Sequence, residues 1–330
     1  MLYPDIPALI LAPMDGLSDA PMRAVQSELG AFTFAVSEFI RVSSTIPPRR
    51  QFHRHIPELL TGAVAPGGLP VQVQLLGGDP GRMGEAAAVA CAAGARAIDI
   101  NFGCPAPTVN RHDGGAALLK HPERIRAIVA AVRAATPQPV PVSAKLRLGW
   151  DSMDAIYANA DMAAEGGASW LTIHGRTRVQ GYTPPAHWGP IGRVRERLGI
   201  PVVANGDIWT VEDYRLCREE TGCIHFMLGR GAIANPLLPL LIAARMGLPS
   251  AGTAPTLSAS SPDWVPLLQR LVFWTEHFNG SVTFQTTSRL KQWLKIASLH
   301  GGFRGFDDVK HAQTSDELFA VLRARGQVAA

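Results

Sequence analysis

The chain reads as a (β/α)8 barrel followed by a small all-helical domain, and three observations predict this. Up to residue 245, eight short apolar runs alternate with longer Ala- and charge-rich stretches of helical spacing. Most of the runs end on Gly, Pro or a polar residue, as strands of a parallel sheet covered by crossover helices do. No GxGxxG follows the first run, which disfavours the alternative, a doubly wound open sheet. From Met246 to Pro266 the composition turns to Gly, Pro, Ser and Ala, and beyond it strand alternation disappears. The expected division is a barrel over 1–245, a linker over 246–263 and a helical domain over 264–330.

The eight predicted strands are Ala8–Ala12, Phe34–Ser37, Val71–Leu76, Ala97–Asn101, Val142–Leu146, Trp170–His174, Val202–Asn205 and His225–Leu228. Gly84–Ala93, His121–Ala135 and Ser152–Glu165 are the clearest crossover helices. In the last domain, helices are predicted over Trp264–Phe278 and Thr287–Leu299, and over Ser315–Arg325 with Ser as its N-cap. Within the second of these, Leu290, Trp293, Leu294 and Ala297 form one apolar stripe.

Composition limits the function classes. A chain of 330 residues exceeds the length of about 250–300 at which a single core stops growing. With 47% hydrophobic and 18% charged residues it is neither disordered nor fibrous. No apolar run reaches the roughly 18 residues of a membrane span, and Met1–Leu11 lacks a secretory signal's basic start and cleavage site. The four cysteines show no CxxC and no zinc spacing, so neither a disulfide framework nor a metal is expected, and a reducing cytoplasm fits. The net charge of +4 is uneven: residues 244–330 carry nine basic and six acidic side chains, the first 243 carry 22 and 21. A mildly basic second half permits a polyanionic partner; ordinary surface charge is the competing reading.

Barrels of this kind gather their chemistry at the C-terminal ends of the strands. In order, those ends carry Pro13-Met14-Asp15, Glu38, Gln74 (with Gln72), Asn101 and Cys104, Lys145 and Arg147, His174 and Arg176, Asn205-Gly206-Asp207, and Gly229-Arg230. Gly229-Arg230-Gly231 precedes a helical pattern, where free N–H groups bind anions, although two ordinary glycine turns would look the same. Cys104 lies in a loop between Gly103 and Pro105 rather than inside an element. Near neutral pH it is mostly a thiol, which suits a proton donor. Lys145 and Arg147 share one face of a strand, and burying Lys145 at the mouth calls for an anionic partner. Either Gln72 or Gln74 faces inward, and Asn101 either caps the Cys104 loop or contacts substrate. His112 and Asp113 lie in a Gly-rich loop, mobile or a plain turn. Arg289, Lys291 and Lys295 flank the apolar stripe of the helical domain, either as a solvated face or as a surface for phosphates.

Taken together, these strand ends resemble the tRNA-dihydrouridine synthases, FMN-dependent enzymes that reduce specific uridines in tRNA. The motifs are APMDG (12–16), VQLLG (73–77), INFGCP (100–105), GGAALL (114–119), KLRLGW (145–150), HGRT (174–177), ANGD (204–207) and LGRGAIANP (228–236). They run in order through the whole barrel. SEFIRV (37–42), RLGWDS (147–152), QGY (180–182) and RLKQWL (289–294) are most similar to the bacterial C-type subgroup, which modifies uridine 16 of the D-loop.

The resemblance implies FMN lying across the barrel mouth. Pro13, Met14 and Asp15 would contact its ring region, Gln74 and Lys145 the isoalloxazine edge, and Asn205, Gly206, Asp207, Gly229 and Arg230 the ribityl phosphate. NADPH, or NADH in its place, would reduce the flavin. Hydride would pass to C6 of a flipped uracil and Cys104 would protonate C5. His174 and Arg176 would border flavin or substrate, while Glu38, Asn101 and Arg147 would meet the base. Arg289 and Lys291 would contact tRNA, and the enzyme would act as a monomer. The competing readings are an FMN barrel oxidoreductase for a small pyrimidine-like substrate, which needs no basic helical domain, and a non-catalytic tRNA-binding protein.

Overall fold

The structure, a computed structural model, describes residues 1–249 and 262–328, with side chains to 324. Eight parallel strands form the barrel: β1 Ala8–Leu11, β2 Phe34–Val36, β3 Val71–Leu76, β4 Ile98–Phe102, β5 Val142–Arg147, β6 Leu171–His174, β7 Val202–Asn205 and β8 His225–Leu228. Each pairs with its sequence neighbours, β1 pairs with β8, and β2 meets β3 through Ala35–Val71, which closes the cylinder. Every predicted strand is present, with ends shifted by at most one residue. A two-residue extension, Ile40–Arg41, pairs with Leu75–Leu76 of β3 and is too short to leave a pattern in the sequence.

The helices of the barrel are α1 Ala20–Leu29, α2 Arg49–His55, α3 Pro80–Ala92, α4 Pro107–Asn110, α5 Pro122–Ala135, α6 Ala155–Glu165, α7 Gly189–Arg197, α8 Val211–Thr221, α9 Arg230–Ala234 and α10 Leu238–Arg245. Those of the second region are α11 Trp264–Asn279, α12 Phe284–His300, α13 Phe306–Val309 and α14 Ser315–Val328. Their starts follow from capping chemistry. Asp19 caps α1 through the Met22 N–H, and Thr210 with Asp213 makes a capping box on α8. The cap expected at Ser315 sits one residue earlier: Thr314 Oγ1 accepts from the Glu317 N–H. Of the predicted linker, 250–261 lies outside the described residues.

Strand alternation sorts the core. Leu9, Leu11, Ala35, Val73, Ile98 and Ile100 point outward into the layer beneath the helices. Inside the barrel, Ala8, Ile10, Phe34, Trp170, Val203 and Met227 fill one side with apolar bulk. The other side is polar, with Gln72, Asp99 and Ser143 stacked below the mouth and all within 2% of complete burial.

The helical region builds its core together with α1 and α9 of the barrel. Trp264, Leu268, Leu271, Trp274, Leu290, Trp293 and Leu294 form one cluster with Met22, Val25 and Ile233 of the barrel. The predicted stripe is fully buried, and Trp293 Nε1 donates to the Ile233 carbonyl at 2.8 Å. Trp274 Nε1 donates to Glu28 at 3.1 Å, and Arg270 pairs with the same carboxylate. Gly301 is required here: a Cβ would lie 1.7 Å from the Ala234 carbonyl of α9. The α11–α14 layer is thus fastened beside the mouth of the barrel.

Candidate active site

All eight strand ends converge on one open pocket, with about 1140 Å³ of empty space counting its mouth. Pro13, Met14, Asp15, Glu38, Gln74, Asn101, Cys104, Lys145, Arg147, His174, Asn205, Gly206, Asp207, Gly229 and Arg230 all line it. Arg176, Arg289 and Lys291 do not.

A buried hydrogen-bond chain supports the floor. Asp99 on β4 accepts from Ser143 Oγ at 2.5 Å and from Gln74 Nε2 at 2.7 Å. Gln74 Oε1 then accepts from Asn101 Nδ2 at 2.8 Å, and Asn101 Oδ1 accepts from the N–H groups of Gly103 (2.9 Å) and Cys104 (2.8 Å). This resolves two alternatives. Both glutamines face inward, but Gln72 lies below the mouth with its Nε2 on Ile98 and Ser143, and Gln74 reaches the pocket. Asn101 caps the loop that presents Cys104 while also lining the pocket. Burial in this chain pushes the Asp99 carboxyl up, against its bonds to Ser143 and Gln74 and the nearby Lys145 charge.

The Cys104 loop is held from the other side as well. Its carbonyl accepts from the Ala116 N–H at 3.1 Å, and a Cβ on Gly115, whose φ is +59, would come within 2.9 Å of that oxygen. Burial pushes the Cys104 thiol above its ordinary range. It therefore carries a proton at neutral pH. The Asp15 carboxylate adds to this rise, while the Ala106 backbone N–H first, then Arg147 and Lys145, oppose it.

Cations surround the pocket. Lys145 Nζ donates to Asn205 Oδ1 at 3.2 Å, and burial brings its pKa down to about 8. Arg147 is spent on three carbonyls, Gly103 (2.8 Å), Thr177 (3.0 Å) and Gly181 (2.8 Å), and so ties the β4 and β6 loops together. Burial first, then Arg147, Lys145, Arg176 and Arg230, hold His174 well below the usual imidazole range, so the ring is neutral; its Nδ1 is buried without a partner. Glu38 accepts from the Leu17 N–H at 3.1 Å, and burial together with Asp19 and Asp15 pushes its carboxyl up.

At the far wall, Gly206 (φ +122) and Asp207 (φ +52) adopt left-handed backbone beside the Gly229-Arg230 turn. Trp188 Nε1 pins this turn through the Gly206 carbonyl at 2.8 Å. The Arg230 guanidinium lies 4.6 Å from the Tyr182 ring and 5.1 Å from Trp209. Trp209 stacks in turn on His300 of α12, with ring centroids 4.3 Å apart.

Three expected site residues lie outside the pocket lining and are bonded within the fold. Arg176 is fully buried, donates to the Thr183 carbonyl at 2.8 Å and pairs with Asp207. Its position on the strand-end tetrapeptide implied the pocket, but the side chain turns outward beneath the β6 loop. Arg289 donates to the Leu17 carbonyl and pairs with Asp19, so it docks α12 onto the loop after β1. Lys291 Nζ donates to the Ala312 carbonyl at 2.8 Å and the Lys310 carbonyl at 3.4 Å, closing the turn between α13 and α14. Sequence reasoning gave no role to Asp99, Tyr182 or Trp209. Tyr182 and Trp209 were within reach, since each follows a strand-end motif by a few residues; Asp99 shows only as a charge inside an apolar strand.

Comparison with known proteins agrees with this geometry. The dihydrouridine synthase (Dus) family profile matches residues 10–248. A tRNA-dihydrouridine(16) synthase from Aquipseudomonas alcaligenes is 46% identical over 288 residues, covering 87% of this chain and 89% of that protein. One from Ralstonia nicotianae is 41% identical over 315 residues, covering 95% and 94%. Among solved structures, histamine dehydrogenase from Rhizobium sp. 4-9 superposes with a TM-score of 0.55 at 15% identity, over 73% of this chain and 46% of that one, and shares the fold. The eight converging strand ends, the ordered motifs and these relatives place the chain in the dihydrouridine synthase family.

Proposed function

We propose that the protein reduces the C5–C6 double bond of uridine 16 in the D-loop of tRNA, with FMN as its cofactor and NADPH as reductant. Support for position 16 comes from the names of its relatives. The observation that carries the chemistry is a protonated, loop-held Cys104 facing the same pocket as Lys145, His174 and Arg230.

The residues present suit a flavin mononucleotide. Lys145 and Arg230 face the pocket with no ion-pair partner among the described residues, which favours an anionic group. His174 offers a buried nitrogen that nothing else engages. The left-handed turn at Gly206 and the side-chain-free Gly229 leave backbone N–H groups open to a phosphate. When bound and reduced, the flavin supplies the hydride that C6 of the uracil accepts.

The chain's own residues do the rest. A uracil stacked in tRNA must be extruded to enter the pocket. Cys104 holds a proton on Sγ and gives it to C5, leaving a thiolate that Arg147 and Lys145 stabilise. Asn101, anchored through Gln74 to Asp99, keeps the Cys104 backbone in place during the transfer. Arg147 fixes the two loops that border the base. The same reading makes the protein a cytoplasmic monomer.

The test is incubation with FMN, NADPH and tRNA lacking modifications, followed by mass spectrometry. A gain of two hydrogens per tRNA is expected. NADPH consumption without any gain in tRNA mass would overturn the proposal and favour a small-molecule substrate.

A further inference from the structure

We propose that Trp209 and His300 are positioning residues for the cofactor phosphate: together they hold the Arg230 side chain in place, so that the helical region takes part in binding the flavin. This rests on the FMN reading above. Arg230 opens α9 and faces the pocket, with its guanidinium 4.6 Å from the Tyr182 ring and 5.1 Å from Trp209. The Asp207 carboxylate acts on it from nearby, but that group is paired with Arg176. The charge of Arg230 is therefore left for a ligand. An arginine that must first be ordered binds an anion less tightly, because its rotamer freedom is lost at that moment. Rings set against the guanidinium remove much of that loss beforehand.

Trp209 can restrain Arg230 only if it is itself restrained. Its backbone N–H donates to Asp213 at 3.0 Å, beside the capping box of α8. Its indole is half-buried and stacks on His300, the last residue of α12, with ring centroids 4.3 Å apart and planes 24° apart. Arg230, Trp209 and His300 thus form a chain of contacts from the pocket to the helical region. Burial first, then Arg230, lower the His300 pKa against the pull of Asp207, so the ring is neutral near pH 7 and does not repel the guanidinium.

The helix that carries His300 is placed by the same corner of the barrel. Trp293, Ala297 and His300 recur at i, i+4 and i+7 of α12 and share one face. Trp293 Nε1 donates to the Ile233 carbonyl at 2.8 Å, and Gly301 packs against the Ala234 carbonyl. Both carbonyls belong to α9, the helix that Arg230 begins. One helix therefore fixes the backbone that follows Arg230 and the ring that lies beside it. A helix with work only on its outer surface would not need the His300 ring at this point.

The test titrates full-length apoprotein with FMN and with riboflavin, which lacks the phosphate, and follows flavin fluorescence. His300→Ala is expected to bind FMN about three- to tenfold more weakly and riboflavin as wild type does. His300→Phe, which keeps a flat ring, should restore FMN affinity. Leu299→Ala, a 65% exposed neighbour on the same turn, should change neither ligand. In an Arg230→Met background, which should itself lose the preference for FMN, His300→Ala should add no further loss. Wild-type FMN affinity in His300→Ala, an equal loss for both flavins, or a full further loss in the Arg230→Met background would overturn the positioning role alone. A wild type that binds neither flavin would overturn the FMN reading, and one that binds riboflavin as tightly as FMN would overturn the phosphate contact; the inference would fall with either.

Discussion

The barrel mouth and the α11–α14 layer use cations in opposite ways. At the mouth, Lys145 and Arg230 are held in place yet face open space, one with a single amide partner and the other between two aromatic rings. In the helical layer, Arg270 and Arg289 are spent on the barrel and Lys291 on the layer's own turn. The sequence marks both groups alike as basic; the fold shows which of them face the pocket. The lesson is that the helical layer's basic segment is largely docking hardware, while reactive polarity is concentrated where eight strands end together.

The largest effect that would break this contrast is at Cys104. Cys104→Ala is expected to lower uridine reduction by about 10²–10⁴-fold while leaving flavin reduction by NADPH intact, measured as two separate half-reactions. Full activity in that variant would remove the thiol from the mechanism. Next is Trp293→Ala in the shared core, which should cost about 3–5 kcal/mol in urea unfolding. A cost below about 1 kcal/mol would show that the α11–α14 layer is not fastened to the barrel as described.

Lys145 gives a prediction with a sign. Its folded pKa of about 8 lies below its ordinary 10.5, so the native state releases this proton first. Its destabilising contribution is fully present below about pH 8 and is relieved as pH rises from 8 towards 10.5. Activity that depends on the positive charge should be half lost near pH 8, where the folded-state lysine titrates. Lys145→Met should remove both trends; if the stability difference between the two proteins is flat across this range, Lys145 is not the buried ammonium described here.

The smallest effect is expected at Lys291. Lys291→Ala should cost about 1 kcal/mol of stability through the lost carbonyl bonds and leave the salt slope of tRNA binding unchanged. A slope lower by about one unit would return Lys291 to the RNA surface.

Much of the fold was legible because a parallel strand buried on both faces leaves few alternatives for its residues. Val71–Leu76, Val202–Asn205 and His225–Leu228 were placed to the residue. Pocket residues contributed directly by strand ends were equally legible, since alternation and the strand terminus fix their direction. Arg176 lies one step past a glycine, where that rule no longer holds, and it turned out to support Asp207 instead. The partners of Arg289 and Lys291 were likewise not legible, because those carbonyls are 272 and about 20 positions away.

The most direct measurement is a site-resolved map of dihydrouridine in tRNA treated with the protein, FMN and NADPH. Reduction at position 16 alone is the predicted result. Reduction at a different uridine would contradict the assignment of position while keeping the chemistry of the mouth, and no reduced uridine at all would contradict the account.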